Sequence, residues 1–243
     1  MFVNREYSTR QFKTFRILLG AWLAYHFISL VPYSNEMFSN ENVLFVICAA
    51  ALAAVLLAAN FARKFMALYL YGTLVFLIYS NKFYYDIDLD YLGWLLLASV
   101  FVSETKEGKY EIPTILFWGA WAVLGLSYTL SGVSKFSDQN WQDGRAISLV
   151  MNQAVSRVYT EFYKTEVMQV VFRLSTWFVL LAETLFLPMI CYNKTRRIAF
   201  WSMTMVQIGI AFMTIVSELN VAALLFHLFV LENRKTLIDR KTR

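Results

Sequence analysis

Charge is scarce in this chain. Of its 243 residues 16% are charged, against 58% hydrophobic and 17% aromatic. A soluble domain carries about 25% charged residues, so an ordinary water-facing globule is excluded. Three prolines and nine glycines are too few for a disordered linker or a low-complexity tract. The two cysteines, Cys48 and Cys191, lie in separate apolar runs and make neither a disulfide framework nor a C-x-x-C redox pair. The two histidines, His26 and His227, stand far from any cysteine, and no metal site is expected. A cleavable signal peptide is not expected either. Residues 1–16 are polar and basic, and the apolar run after them is too long for an h-region. The first span is expected to serve as its own uncleaved insertion signal.

What the chain has instead is long apolar runs, at approximately 14–32, 43–60, 63–80, 90–103, 113–133, 168–191, 197–216 and 219–232. Backbone groups in lipid must be satisfied within their own segment, so such runs form helices. The expected fold is all-α: one polytopic domain over residues 1–243, with about eight transmembrane helices. Most basic residues fall on one side: Arg5, Arg10, Lys13 and Arg16; Arg63 and Lys64; Lys106 and Lys109; Lys194, Arg196 and Arg197; and the C-terminal cluster from Arg234 to Arg243. The positive-inside rule makes that side cytoplasmic, with both termini. The net charge of +5 then reflects topology and contact with the lipid bilayer, and nucleic acid is not an expected partner. A multi-pass protein of a bacterial inner membrane is the expected localisation.

The other face is richer in acids. Asp86, Asp88 and Asp90 alternate with Ile87 and Leu89. The glycine and final glutamate of a calcium loop are missing, so a solvated acidic loop is expected. The long outer loop, about 134–167, places Ile147, Val150, Ala154, Val158 and Phe162 at helical spacing. That pattern predicts an amphipathic interfacial helix over 144–162, N-capped by Asp143.

Several polar residues interrupt the apolar runs. Glu183 stands inside LLAETLFLP, where an ionisable side chain needs a partner. Arg16, at the same end of its own span, is the expected partner in a structural pair, with a proton relay as the other reading. Gln207 lies mid-span and needs a hydrogen-bond partner. His26 lies in the outer half of the first span, where it either lines a pocket with Lys135 or is a core histidine. Lys135 closes the fifth run, followed by Trp141 and Gly144. A lysine at a helix end often only snorkels. An ammonium in water is a poor base at neutral pH, and burial is what turns a lysine into one. Gly132, one turn earlier, permits close approach of a helix or a flat ligand. Trp141 is either an aromatic wall or an interfacial anchor.

The spacing Tyr128-x3-Gly132-x2-Lys135-x5-Trp141-x2-Gly144-x-Ala146 resembles the signature segment of the vitamin K-dependent gamma-carboxylase-like family, also called the horizontally transferred transmembrane (HTTM) domain. Arg16 before the first run, NKFYYDIDLDYLGWLLLASVF and Glu183-Thr184-Leu185 are similar to other parts of that family. Gln207 stands where the family often has a histidine. In size and layout the chain is most similar to bacterial members of the sporulation-delaying protein B group. The resemblance implies a catalytic base at Lys135, a substrate-binding surface at His26, Gly132, Trp141 and Gly144, and a quinone or hydroquinone cofactor. It also implies two functions: a lysine-centred site at the outer face acting on a quinone-type or peptide substrate, or a non-catalytic component for maturation or export of a small secreted peptide. A transporter is disfavoured, since internal repeats and broken mid-membrane helices are not evident.

Overall fold

Apolar runs without internal proline make helices here, and helices dominate the computed structural model. It describes residues 4–38, 42–81, 87–105, 108–152, 165–213 and 218–230. The chain divides into two compact units, Met1–Phe117 with Leu228–Arg243, and Trp118–His227.

The first unit opens on strand β1 (Asn4–Tyr7) and helix α1 (Thr9–Leu30), whose N-cap Ser8 accepts from the Gln11 amide. A 3-10 turn, Val31–Tyr33, and the short α2 (Ser34–Met37) follow. Then come α3 (Val43–Ala58), α4 (Arg63–Ser80) and α5 (Ile87–Phe101). Helix α1 packs on α3, α3 on α4, and α4 on α5. Small residues set the α1–α3 distance: a Cβ on Gly20 would lie 2.6 Å from the Ala54 carbonyl and 2.8 Å from Ala58. Close small-residue contacts of this kind hold helices together where water gives no driving force.

Strands β2 (Ser103–Glu104) and β3 (Tyr110–Pro113) complete a three-stranded antiparallel sheet in the order β1-β3-β2. Its register pairs Tyr7 with Tyr110 and Glu104 with Tyr110. The fold is mostly helical, as expected, and this short sheet is an addition to it. Tyr7, Tyr110 and Ile112 supply β-forming residues at apolar alternation, and their buried faces meet Phe12 and Phe229.

The second unit holds most of α6 (Thr114–Lys135), then α7 (Gln139–Gln142) and α8 (Ala146–Met151). It continues with α9 (Glu166–Thr184), α10 (Phe186–Cys191), α11 (Arg196–Met213) and most of α12 (Glu218–Val230). Helix α9 packs with α7, α8, α10 and α11.

Among the described residues three helices are long and apolar enough to cross a membrane: Thr9–Tyr33, Thr114–Lys135 and Glu166–Thr184, of 25, 22 and 19 residues. Their outward faces stay apolar, with Ile17, Leu18 and Ile28 on the first, Leu126 and Leu130 on the second, and Val170, Leu174 and Phe178 on the third. The eight spans expected from the runs are not found. Helices α3 and α12 are apolar but have only 16 and 13 residues, below the roughly 20 that a bilayer requires. Helices α4 and α11 open on Arg63–Lys64 and Arg196–Arg197, and α5 carries Asp88 and Asp90 in its first turn. The run expected as one span at 168–191 breaks at Leu185, between α9 and α10. Pro188 lacks an amide donor and its ring collides with the carbonyl four residues earlier, so the helix yields there.

Three smaller expectations also change. Asp88 is not in a solvated loop but buried in the first turn of α5, where the helix dipole favours a carboxylate. Asp143 is the C-cap of α7, and α8 starts after Arg145 without a side-chain cap. Of the amphipathic helix expected over 144–162, a short helix is described over Ala146–Met151, with Val150 of the expected apolar face exposed, and 153–162 lies outside the described residues.

Candidate functional site

Helix α6 places Tyr128, Gly132 and Lys135 at i, i+4 and i+7, on one face. At Gly132 another backbone comes very close. A Cβ there would collide with the amide nitrogen of Thr184 and lie 2.6 Å from its Oγ1. Only glycine permits this approach, and it sets the end of α9 beside the end of α6. Glu183 is thereby brought to Lys135.

The Lys135 ammonium forms an ion pair with Glu183 Oε2. The carboxylate is 7% exposed and the lysine side chain 22%. The ammonium also lies over the indole of Trp141, 4.6 Å from the ring centroid, a cation–π contact. Asp138 holds Trp141 in place by capping α7: its Oδ1 accepts from the Asn140 amide at 2.8 Å. Gly144 makes the turn into α8 with φ +75°, and a Cβ there would meet Arg173 Cγ at 2.5 Å. Trp177 Nε1 donates to the Gln142 carbonyl at 3.0 Å, tying α7 to α9.

Thr129 supports Glu183 from below. Its hydroxyl donates to the Glu183 carbonyl at 3.3 Å and accepts from the Leu187 amide at 3.0 Å. In an unbroken helix those two backbone groups would bond each other. Thr129 inserts between them where Pro188 breaks the helix, and so fixes the backbone that carries the carboxylate.

Tyr128 leads to a second cluster. Thr204 donates its one hydroxyl proton to the Phe200 carbonyl at 2.8 Å. Its oxygen then accepts from His227 Nδ1 at 2.7 Å. That leaves His227 Nε2 to accept from the Tyr128 hydroxyl at 3.0 Å. Tyr128 and His227 are both buried.

The structure thus unites Gly132, Lys135, Trp141 and Glu183. The pair expected between Glu183 and Arg16 is corrected: Lys135 is the partner of the carboxylate. The sequence placed Lys135 at a helix end, but its spacing did not show that the end of α9 would lie beside it. Arg16 is buried in α1 of the first unit, where its Nε and Nη1 have no hydrogen-bond partner. His26 is buried in the same helix, its ring edge-on to Phe27 at 5.5 Å. Gln207 is buried in α11, but its Oε1 has no partner, so the expected bond to that oxygen is not made. Thr129 and the Tyr128–His227–Thr204 chain were not read as functional in the sequence. Their only signal was the heptad spacing of Tyr128 and Lys135. Among the described residues no group of His, Cys, Asp and Glu is disposed to hold a metal ion.

A buried carboxylate touching a partly exposed amine is a proton donor–acceptor couple. Comparison with known proteins adds no constraint: the chain matches no family model, no curated protein and no solved structure.

Proposed function

We propose that this chain is a multi-pass membrane protein of the HTTM, gamma-carboxylase-like type, with a proton-transfer site at Lys135. The observation that carries the reading is the Lys135–Glu183 pair, set by Gly132 and covered by Trp141. In this reading the shorter α3, α4 and α5 cross along with α1, so that Arg16, Arg63 and Lys64 share the cytoplasmic side, and the site lies at the membrane face where the ends of α6 and α9 meet. The substrate is a quinone-type molecule or a peptide at the membrane surface. The Lys135 ammonium first passes a proton to the Glu183 carboxylate, the amine so formed takes a proton from the substrate, and the Trp141 indole holds the ammonium that re-forms. An amine, a carboxylate and an indole face suit the hydroxyl and flat ring of a hydroquinone. Bound there, a hydroquinone would supply reducing equivalents.

The test uses the protein in nanodiscs with a naphthohydroquinone and a glutamate-containing peptide in deuterium oxide. Mass spectrometry reads deuterium entering carbon-bound positions. Wild type exchanges, whereas Lys135→Arg retains its fold and ion pair and exchanges nothing, because a guanidinium stays protonated. Exchange by Lys135→Arg at the wild-type rate would falsify the base. The second reading, a non-catalytic component for maturation or export of a small secreted peptide, is favoured by one feature. The ammonium is already satisfied by carboxylate and indole, as a structural cation would be. Wild-type protein that exchanges nothing, together with Lys135→Arg cells that still release the peptide, selects it.

A further inference from the structure

The first unit contains a cationic cluster, Arg16, Arg63 and Lys64, against which the described residues set one nearby acid, Glu104. Arg16 is 7% exposed, and its Nε and Nη1 are buried without a hydrogen bond. An unpaired buried cation is costly, and such groups are normally held by a partner. Arg63, the first residue of α4, lies within electrostatic range of Arg16, Tyr110 and Glu104. Its Nη2 donates to the Val102 carbonyl, and its Nη1 is buried and unbonded. The rings of Phe12 and Tyr110 hold its guanidinium at 5.0 and 5.8 Å. The fork is therefore fixed in place with a donor to spare.

The surrounding backbone has the same sign. Helix α4 has no side-chain N-cap and no acid in its first turn. Its first turn carries Arg63 and Lys64, against the preference of a helix dipole for negative charge. An 18-residue helix that begins uncapped offers free amide donors to an anion. Residues Asn60 and Ala62, both with positive φ (67° and 42°), form the turn before it. Asn60, Ala62, Arg63, Lys64, Phe65 and Glu104 line a cleft of about 460 Å³, within the range of small-ligand sites, about 300–1,000 Å³. The one acid there, Glu104, is exposed, and among the described residues it forms no ion pair.

We infer that this cluster binds a phosphate group, and that the phosphate belongs to an anionic phospholipid headgroup. Phe65 lines the cleft and is 65% exposed, and Phe61 in the preceding turn is 63% exposed, which suits acyl chains beside a bound headgroup and does not suit a free ion. The assignment of the cleft to the cytoplasmic headgroup layer rests on the proposed topology, in which Arg16, Arg63 and Lys64 share the positive side. Basic pockets at that level recognise anionic lipids.

The test is a titration of the full chain in neutral detergent with dioctanoyl phosphatidylglycerol, dioctanoyl phosphatidylcholine and inorganic phosphate, read by melting temperature and native mass spectrometry. Phosphatidylglycerol binds saturably and raises the melting temperature, and phosphatidylcholine does so far less. Arg63→Gln weakens that affinity about tenfold. Lys64→Gln, at an exposed position, weakens it about fivefold, and Glu104→Gln tightens it. These two rim variants keep the inference open to refutation if an arginine variant does not fold. Equal binding of the two lipids, or unchanged affinity in Lys64→Gln and Glu104→Gln, would overturn the site. Inorganic phosphate competing at the lipid's own concentration would overturn the lipid as its source. Micelles have no sides, so the result is independent of topology, and it is equally independent of the chemistry at Lys135.

Discussion

A single hydroxyl, that of Thr129, stands in for a missing backbone hydrogen bond. It donates to the Glu183 carbonyl and accepts from the Leu187 amide, two groups that Pro188 prevents from meeting. Thr129→Val keeps the shape and removes both bonds, leaving a part-buried donor and acceptor unsatisfied at about 1–3 kcal/mol. Thr129→Ser keeps them. Valine should therefore lower the melting temperature of the detergent-solubilised protein by several degrees, and serine should leave it near wild type. Equal melting of the two variants would show that the hydroxyl does not hold the break together. The same logic explains what was legible at this scale. Lys135, Gly132 and Trp141 stand at fixed spacing within one segment, so the sequence displays them together. Glu183 was visible as a charge in an apolar run, but its partner was not. Pairing across 48 positions depends on where helices end, and one-dimensional spacing does not record that.

At the scale of elements, two glycines on α6 face the α9–α10 segment and differ in what opposes them. A Cβ on Gly132 meets backbone, the amide and Cα of Thr184. A Cβ on Gly125 meets only side-chain ends, Leu187 Cδ1 at 2.7 Å and Ile190 Cδ1 at 2.8 Å. Methyl groups can rotate away, whereas a helix backbone must move as a whole. Gly132→Ala should then cost on the order of 1–3 kcal/mol and separate Lys135 from Glu183, while Gly125→Ala costs less. Monodisperse yield on size-exclusion chromatography checks this, and a Gly125 variant worse than the Gly132 variant contradicts it. Helices were readable from apolar runs because hydrophobicity is a local property. The sheet was not, because β1 and β3 each supply only four residues, Asn4–Tyr7 and Tyr110–Pro113. Their pairing spans a hundred positions of intervening helix. The break after Thr184 was readable in principle from Pro188, but an unbroken apolar run concealed it.

For the whole molecule, composition announced lipid while the number of crossings did not follow from it. An apolar run shows that a segment avoids water, but a helix inside a bundle and a helix across a bilayer avoid it alike. Helices α1, α6 and α9 meet the criteria of length and terminal charge, whereas α3 with 16 residues and α4 with Arg63–Lys64 at its start meet them only in part. Sidedness is a separate question, and the proposed topology answers it from the distribution of lysine and arginine. It sets Arg63 and Lys64 on the cytoplasmic side and Asn152 outside. Cys48 and Cys191 are both free and exposed, so they are first replaced by alanine. Asn152, exposed at the end of α8, is then changed to cysteine in one protein, and Lys64, exposed in the first turn of α4, in another. A membrane-impermeant maleimide should label Asn152→Cys in intact cells and Lys64→Cys only after the cells are broken. The reverse pattern would invert the protein in the membrane. Labelling of both in intact cells would put the two positions on one side, and the even alternation of basic loops would no longer describe how this chain crosses the bilayer.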